Sequence, residues 1–189
     1  MMKHSQVTDW CHEIIRSQVT EGGNYIDATM GKGNDTLLLC RLAGEQGRVT
    51  AFDIQEKALD YTRVLLAKQG MSGRADLILD GHEHMAEYAE PESVDLICFN
   101  FGYLPGGDHR IATRPDTSIQ GIGEGLSLLK PGGMMSLCIY SGGDTGFEEK
   151  EKILEYVKKL PSRDYTVIVN EYYNRKNNPP MPVFIWKKS

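Results

Sequence analysis

The feature that most constrains the fold is a regular alternation of strand-like and helix-like segments. A first segment, His4 to Val19, places Val7, Trp10, Cys11 and Ile14 on one face of a predicted amphipathic helix. Short apolar runs ("NYIDA", "RVTAFD", "ADLIL", "VDLICFNF", "GMMSLCIY") then alternate with helical patterns such as "EKALDYTRVLLAKQ" and "FEEKEKILEYVKKL". This order predicts an α/β fold with a parallel sheet covered by helices on both faces.

Three segments refine this prediction. "HEHMAEYA" predicts a short helix, and "TSIQGIGEGLSLL" a longer one, although its three glycines disfavour helix. The strand patterns "YTVIVNEYY" and "PVFIWKK" have no helix between them and predict an antiparallel pair at one edge. Because we find no repeat, linker or low-complexity tract, we expect one domain over residues 1–189.

Composition narrows the class of protein. No apolar run approaches the roughly 20 residues that span a bilayer, and the N-terminal residues lack a signal-peptide pattern. The cysteines are far apart and form no C-x-x-C pair, which favours buried thiols in a reducing cytoplasm over disulfides or a zinc site; they are Cys11, Cys40, Cys98 and Cys138. We therefore expect a cytoplasmic protein with no membrane partner and no metal.

Charge is unevenly distributed along the chain. The formal net charge is −5, yet the segment from Tyr156 to the end carries seven bases against two acids. A basic end on an acidic body could contact phosphates, or it could be only a solvated surface.

The stretch "DATMGKGNDT", Asp27 to Thr36, follows a strand and opens a helix, where open α/β sheets bind ligands. Gly31 and Gly33 allow a sharp bend and close approach to a ligand. In the dinucleotide fingerprint G-x-G-x-x-G, however, a third glycine would replace Thr36, and Asp35 lies where the pyrophosphate would approach. Like charges at about 4 Å repel by several kcal/mol at an effective dielectric near 20. The acids therefore favour S-adenosylmethionine (SAM), which has a sulfonium and an ammonium group and no phosphate.

Acids and a histidine follow the next two strands. Asp53 ends the second strand twenty residues after Gly33, a spacing at which a carboxylate reaches the ribose hydroxyls of an adenosine cofactor. Asp80, Gly81 and His82 follow the third strand and could contact the adenine. Asp80 could equally serve only as the N-cap of the next helix.

The most unusual stretch is "VDLICFNFGYLPGGDH", which turns polar at Asn100 and continues into a loop rich in glycine and proline. With "DATMGKGNDT" and "NRKNNPP", the run "NFGYLPGGDH" makes the chain resemble the class I SAM-dependent methyltransferases. More narrowly, it resembles the bacterial rRNA methylase-like family, understood as tRNA 5-(aminomethyl)-2-thiouridine methyltransferases acting on the wobble uridine. The likeness covers nearly the whole chain, except that "YSGGDTG" (Tyr140 to Gly146) stands where a histidine-containing stretch is expected.

The resemblance implies a Rossmann-like fold with a seven-stranded, mostly parallel sheet in the order 3-2-1-4-5-7-6. It also implies an RNA-binding enzyme of tRNA modification and processing. Such an enzyme would transfer a methyl group from SAM to a nucleoside of the tRNA anticodon loop. The expected cofactor contacts, including those inferred above from spacing, are Asp27, Thr29, Gly31, Gly33, Asn34, Asp35, Asp53, Gln55, Gly81, His82 and Asn100.

The predicted chemistry is attack of a neutral primary amine on the sulfonium methyl. We expect the side-chain carbonyl of Asn100 to aim the amine, Tyr103 to stack on or hydrogen-bond the base, and Asp108 or His109 to manage the proton. Expected contacts to the RNA phosphates and bases lie at Arg110, Arg114, Tyr172, Arg175, Lys176 and Asn177, with Tyr173 as an alternative stacking residue. "NRKNNPP" could equally be only a polar turn.

Several alternatives remain open at this point. The chain could methylate rRNA or a small amine, act as a NAD-dependent oxidoreductase, or be a non-catalytic binding module on a methyltransferase scaffold. The first helix, with Trp10 and Cys11, packs either on the sheet or on a second copy of the chain in a homodimer.

Overall fold

The computed structural model describes residues 6–102, 113–141 and 146–189. Four residues assigned to the site from sequence, Tyr103, Asp108, His109 and Arg110, lie outside the described residues, as do positions 142–145 of the "YSGGDTG" stretch.

Helices and strands alternate as the sequence predicts. The described α-helices are α1 (Val7–Gln18), α2 (Asn34–Ala43), α3 (Glu56–Lys68), α4 (Pro115–Leu128) and α5 (Gly146–Lys158). The strands are β1 (Asn24–Asp27), β2 (Arg48–Asp53), β3 (Asp76–Leu79), β4 (Val94–Phe101), β5 (Leu129–Ile139), β6 (Tyr165–Val169) and β7 (Met181–Lys187). A 3₁₀ helix, His82–Glu87, follows β3, where the sequence predicts a short helix.

All seven strands form one sheet in the order β3-β2-β1-β4-β5-β7-β6. The first five pair in parallel, whereas β7 runs antiparallel to both β5 and β6. This topology confirms the predicted antiparallel edge pair and the strand order implied by the resemblance.

The sheet separates two apolar layers. Alternate residues of β4 point to opposite faces, as in any strand, so Ile97, Phe99 and Phe101 face α4, α5 and the 3₁₀ helix. Leu96 and Cys98 face α1, α2 and α3 on the other side. By the same alternation, Asn100 belongs to the α1–α2 face, and this places its side chain near the start of α2.

The first helix packs on the sheet of its own chain. Its buried residues are Val7, Cys11 and Ile15, whereas Ile14, assigned to the buried face from sequence, is only half-buried. Trp10 is half-buried and its indole donates a hydrogen bond to the side chain of Asn170 after β6. Of the two predicted positions for α1, the structure therefore shows packing on the sheet.

Helix α4 forms despite its glycines, and two of these glycines are required for its close packing. A Cβ atom at Gly121 would lie 2.4 Å from Cδ2 of His82, and one at Gly125 would lie 2.7 Å from Cε of Met135. Only glycine lets α4 approach the sheet and the 3₁₀ helix this closely.

In the part of the chain that the structure describes, no helix is long and apolar enough to cross a membrane.

The sixth strand is shorter than predicted. It ends at Val169 rather than at Tyr173, and the backbone N–H of Asn170 still donates to the carbonyl of Pro182. After Asn170 the chain turns away, with a backbone hydrogen bond from Arg175 to Tyr172. The connection between β6 and β7 therefore begins before "NRKNNPP", earlier than the sequence predicts.

Candidate active site

A cavity of about 1010 Å³ opens at the carboxyl ends of the parallel strands. Its wall contains Asp53 at the end of β2, Asn100 near the end of β4 and Tyr140 directly after β5, together with residues of α1 and of the β6–β7 connection. Open α/β sheets bind ligands at this edge.

Asp27, at the end of β1, does not reach the cavity. It is fully buried; one carboxylate oxygen accepts a hydrogen bond from the Thr36 hydroxyl at 2.6 Å and the other from the Thr29 backbone N–H at 3.2 Å. Burial, and secondarily the charge of nearby Asp35, raises the pKa of Asp27 to about 7. Asp27 therefore fixes the β1–α2 turn from inside. This geometry does not support the predicted direct contact of Asp27 with a cofactor.

The two glycines of this turn have different surroundings. Gly31 has a positive φ of 52° and lines the cavity, where its N–H donates to Asp53. Gly33 also has a positive φ, 79°, but it faces inward, and a Cβ atom there would lie within 3.0 Å of three atoms of Thr62. Gly33 therefore serves helix packing, and Gly81, also expected to contact the cofactor, is likewise buried and absent from the cavity wall.

Asp53 presents its carboxylate from the end of β2. One oxygen accepts the backbone N–H of Gly31 at 3.0 Å, and the other accepts that of Gln55 at 2.9 Å. Burial raises the pKa of Asp53, and the backbone hydrogen bonds oppose that change. The adjacent Ile54 is 59% exposed although apolar, and it lies in the cavity wall with Gln55.

Asp35, in the first turn of α2, joins three elements of the fold. Its Oδ2 accepts a hydrogen bond from Nδ2 of Asn100 at 2.7 Å, and its Oδ1 lies 2.6 Å from Nε2 of His12 on α1. All three side chains line the cavity. The backbone N–H of Asn100 also donates to the hydroxyl of Thr29 at 2.6 Å, so β4 is tied to the β1–α2 turn as well as to α2.

His82, the first residue of the 3₁₀ helix, lines the cavity but is 8% exposed. Burial lowers the pKa of its imidazole, which keeps the ring neutral. Its ring packs edge-on against Phe99 and Phe101, and its Nε2 has no hydrogen-bond partner in the described protein.

Gly102 and Thr113, which flank positions 103–112, are joined to each other by two hydrogen bonds. The backbone N–H of Gly102 donates to the Thr113 hydroxyl at 2.8 Å, and the N–H of Thr113 donates to the carbonyl of Gly102 at 3.0 Å. The Thr113 hydroxyl in turn donates to the buried carboxylate of Glu149 on α5, which also accepts the hydroxyl of Ser118. Burial raises the pKa of Glu149. Gly102 and Thr113 are thus held in the cavity wall.

The predicted substrate residues divide into two groups. Arg114, at the N-cap of α4, and Asn177 line the large cavity. Tyr172, Arg175 and Lys176 line a smaller cavity of about 210 Å³ beside it. The Arg175 guanidinium lies 4.0 Å from the centre of the Tyr172 ring and so covers one face of it, whereas Tyr173 is fully exposed. Of the two tyrosines, Tyr173 therefore leaves its whole ring accessible.

The structure brings most of the predicted cofactor residues to one wall. The residues that line the cavity are Thr29, Gly31, Asn34, Asp35, Asp53, Gln55, His82 and Asn100. Sequence reasoning missed His12 and Tyr140 in this wall and Glu149 behind it. No local pattern marks His12, since its partner Asp35 is 23 residues away.

Comparison with known proteins shows the family to which the chain belongs. A family model described as "Putative rRNA methylase" matches residues 49–186, well over half of the chain. The tRNA (mnm5s2U34)-methyltransferase of Arabidopsis thaliana chloroplasts is 34% identical over 192 residues, which cover 97% of this chain and 70% of that protein.

Two solved structures are similar over nearly the whole chain. A "putative rRNA-methylase" from Clostridium thermocellum is 44% identical, with a TM-score of 0.94 over 98% of this chain and 100% of that one. A "putative methyltransferase" from Streptococcus mutans, solved in complex with S-adenosylhomocysteine (SAH), is 34% identical, with a TM-score of 0.87 over 99% of both chains. The chain therefore belongs to the family described as "Putative rRNA methylase".

Proposed function

We propose that this protein is a SAM-dependent methyltransferase that N-methylates the aminomethyl group of 5-aminomethyl-2-thiouridine at the tRNA wobble position. The product would be 5-methylaminomethyl-2-thiouridine, the nucleoside in the name of the Arabidopsis relative. The observation that carries this proposal is the cavity wall in which Asp35 and Asp53 present carboxylates beside Asn100.

The residues present fit SAM. Asp53 is positioned for ribose hydroxyls, and the exposed apolar side chain of Ile54 beside it offers a surface that an adenine ring would cover. Asp35 occupies the first turn of α2, where an anion would otherwise bind, and its charge suits a cation. The similar structure from Streptococcus mutans was solved with SAH, the product of methyl transfer from SAM.

When bound, SAM supplies a methyl group on sulfonium, which is transferred to the amine nitrogen as the S–C bond breaks and its electron pair stays on sulfur. The chain's own task is to position and deprotonate the amine. Because an ionised carboxylate only accepts hydrogen bonds, the contact with Asp35 requires that Asn100 donates through Nδ2. The amide oxygen of Asn100 is then directed elsewhere and can accept a hydrogen from the substrate amine, which aims the lone pair.

The tRNA anticodon loop suits the open side of the cavity. Arg114 lies in the cavity wall, and Arg175 and Lys176 lie in the neighbouring β6–β7 connection, where they can pair with phosphates. The fully exposed ring of Tyr173 can stack on an unpaired base. A wobble base lies in a single-stranded loop, so little unstacking is required to bring it to the cavity.

The rival functions predict different ligands. A NAD-dependent oxidoreductase would need space for a pyrophosphate at the start of α2, where Asp35 holds His12 and Asn100. An rRNA methyltransferase would use the same cofactor but another RNA, and a non-catalytic module would bind SAM without turnover.

Calorimetry and a labelled-methyl assay separate these functions. We expect the protein to bind SAM and SAH but not NAD, and to transfer labelled methyl groups to tRNA rather than to ribosomal RNA. Binding of NAD without SAM, or label in ribosomal RNA alone, would contradict the proposal.

We also propose that the protein acts in the cytoplasm, since its four cysteines are buried and unpaired. A homodimer stays a prediction, which light scattering of the purified protein tests.

A further inference from the structure

His12 reaches the cavity from the first helix, far in sequence from the other site residues. It follows the buried Cys11, and its side chain is 18% exposed. Its Nε2 lies 2.6 Å from Oδ1 of Asp35, whose side chain is 14% exposed. The contact is thus short and largely shielded from water.

The carboxylate of Asp35 connects His12 to Asn100. Asn100 donates to Oδ2 at 2.7 Å while His12 contacts Oδ1, so both oxygens are engaged. Because an ionised carboxylate only accepts, the neutral imidazole of His12 must carry its hydrogen on Nε2. The lone pair then lies on Nδ1, and no described residue makes a hydrogen bond to that atom.

Methyl transfer to an amine needs such a lone pair. An aliphatic ammonium group is the dominant form near neutral pH and has no electron pair for the attack. Imidazole is the side chain that accepts a proton most readily in this pH range. Asp35 can hold the ring in position and stabilise the imidazolium once it forms, as carboxylates do in other histidine–carboxylate pairs.

Three other titratable side chains near the cavity are less suited to the task. Burial raises the pKa of Tyr140, so its hydroxyl keeps its proton. Both oxygens of Asp53 accept backbone N–H groups at the end of β2. Asp27 is enclosed by protein on all sides.

We infer that His12 is the general base that takes the proton from the substrate ammonium, with Asp35 orienting it. This inference rests on the proposed function, because it needs an amine as the nucleophile. One N–H bond of the ammonium breaks, its electron pair stays on the nitrogen, and the proton binds Nδ1 of His12. After methyl transfer the product leaves as a secondary ammonium, and the imidazolium releases its proton to solvent.

Several charged or titratable groups of neighbouring elements share the cavity wall with His12. They are Asp9 and Arg16 on α1, Lys32 in the β1–α2 turn, Asp35 and Arg41 on α2, and Tyr140 after β5. Within the described residues β7, which also packs against α1, places no charged side chain in this wall. Asp35 is the member of this group that contacts the imidazole directly.

The test is the pH dependence of methyl transfer in His12→Gln. Glutamine can keep an N–H donor for Asp35 but has no titrating nitrogen. Near neutral pH we expect turnover at saturating SAM to fall by roughly 10²-fold, within the usual range for a general base. Above the pKa of the substrate amine, the amine is already neutral, and the variant should approach the wild-type rate.

Glu13→Gln is the matched control, because Glu13 is exposed on the same helix and pairs only with Arg16 in the described structure. It should keep the wild-type profile. A constant ratio of wild-type to His12→Gln rates across the pH range would overturn the inference and assign His12 a structural role. A wild-type protein that binds SAM but leaves the aminomethyl nucleoside unmethylated at every pH would instead overturn the proposed function.

A second readout does not depend on turnover. SAM affinity of His12→Gln, measured by calorimetry, should stay within about threefold of wild type.

Discussion

Two parts of the cavity rim, the β1–α2 turn (residues 28–33) and the β6–β7 connection (residues 170–180), are held in different ways. The turn donates hydrogen bonds to the carboxylates of Asp27 and Asp53 and accepts one from the backbone of Asn100, and these three residues belong to three different strands. In the connection, residues 173–178 are all exposed, and Arg175 rests on Tyr172 within the same loop.

This difference in how the turn and the connection are held suits two different tasks, binding a cofactor and binding RNA. A cofactor of fixed shape favours a rigid wall whose polar groups are oriented before binding, which lowers the cost of ordering them. A large polyanion can instead be held by exposed bases whose contribution depends on salt. Substitutions in the turn and its partners should therefore change turnover or cofactor affinity sharply, whereas substitutions in the connection should have smaller, salt-dependent effects on RNA binding.

The largest effect is expected for Asn100→Ala. Loss of the amide removes both the donor to Asp35 and the oxygen that aims the amine, so turnover should fall by roughly 10²-fold or more. SAM affinity from calorimetry should change far less. Asn24→Ala, at the opposite end of β1, is the control and should keep full turnover. Unchanged methyl transfer in Asn100→Ala would refute its role.

The next effect is expected for Asp53→Ala. A charged hydrogen bond contributes about 1.5–3 kcal/mol, so SAM affinity should fall by roughly 10- to 150-fold, as calorimetry would show. Turnover at saturating SAM should stay near that of wild type. Asp60→Ala, in an exposed pair with Arg63 on α3, is the control. Wild-type affinity in Asp53→Ala would remove Asp53 from the cofactor site.

A smaller effect is expected for the double charge reversal Arg175→Glu and Lys176→Glu. Fluorescence anisotropy should show tRNA binding weakened about tenfold at low salt, with a shallower dependence on salt concentration, because phosphate contacts release counterions. SAM affinity should not change. Lys158→Glu with Lys159→Glu, at the end of α5, makes the same charge change away from the connection. If both double variants lose affinity equally at every salt concentration, net charge rather than the connection would explain binding.

A further effect concerns stability and pH rather than activity or binding. The pKa of Asp27 is about 7 in the folded protein, well above the ordinary 3.8 expected in the unfolded chain. Between these values the folded state binds more protons, so the free energy of unfolding should decrease as pH rises from about 4 to 7 and then level off. Urea unfolding of Asp27→Asn should show a shallower decrease, by about 4 kcal/mol across this window, since each pKa unit corresponds to about 1.4 kcal/mol.

Asp53 and Glu149, whose pKa values are also raised by burial, should leave a residual slope of the same sign in Asp27→Asn. An equal loss of stability in wild type and Asp27→Asn over this pH range would show that folding does not raise the pKa of Asp27.

Local patterns were sufficient to predict the elements of this fold and the strand ends that carry the site. Asp53 and Asn100 were assigned correctly to the ends of the second and fourth strands, because periodicity shows where an apolar run turns polar. The strand order came from the resemblance rather than from periodicity.

Contacts between distant elements could not be predicted in this way. Asp27 and Asp35 are similar in sequence context, yet one is buried under Thr36 while the other faces the cavity. Their roles differ because Asp27 ends β1 beneath Thr36, whereas Asp35 lies in the first turn of α2 and faces the cavity. Such a difference depends on tertiary packing. The contact of His12 with Asp35 likewise requires knowing that α1 and α2 cover the same face of the sheet.

The most direct test of the central claim uses tRNA from a strain that lacks this protein. The purified protein and SAM are added, and the nucleosides are analysed by mass spectrometry. The account predicts that 5-aminomethyl-2-thiouridine is converted to its N-methylated form, while the other nucleosides stay unchanged. An unaltered aminomethyl nucleoside, in a sample where calorimetry confirms that SAM binds, would contradict it.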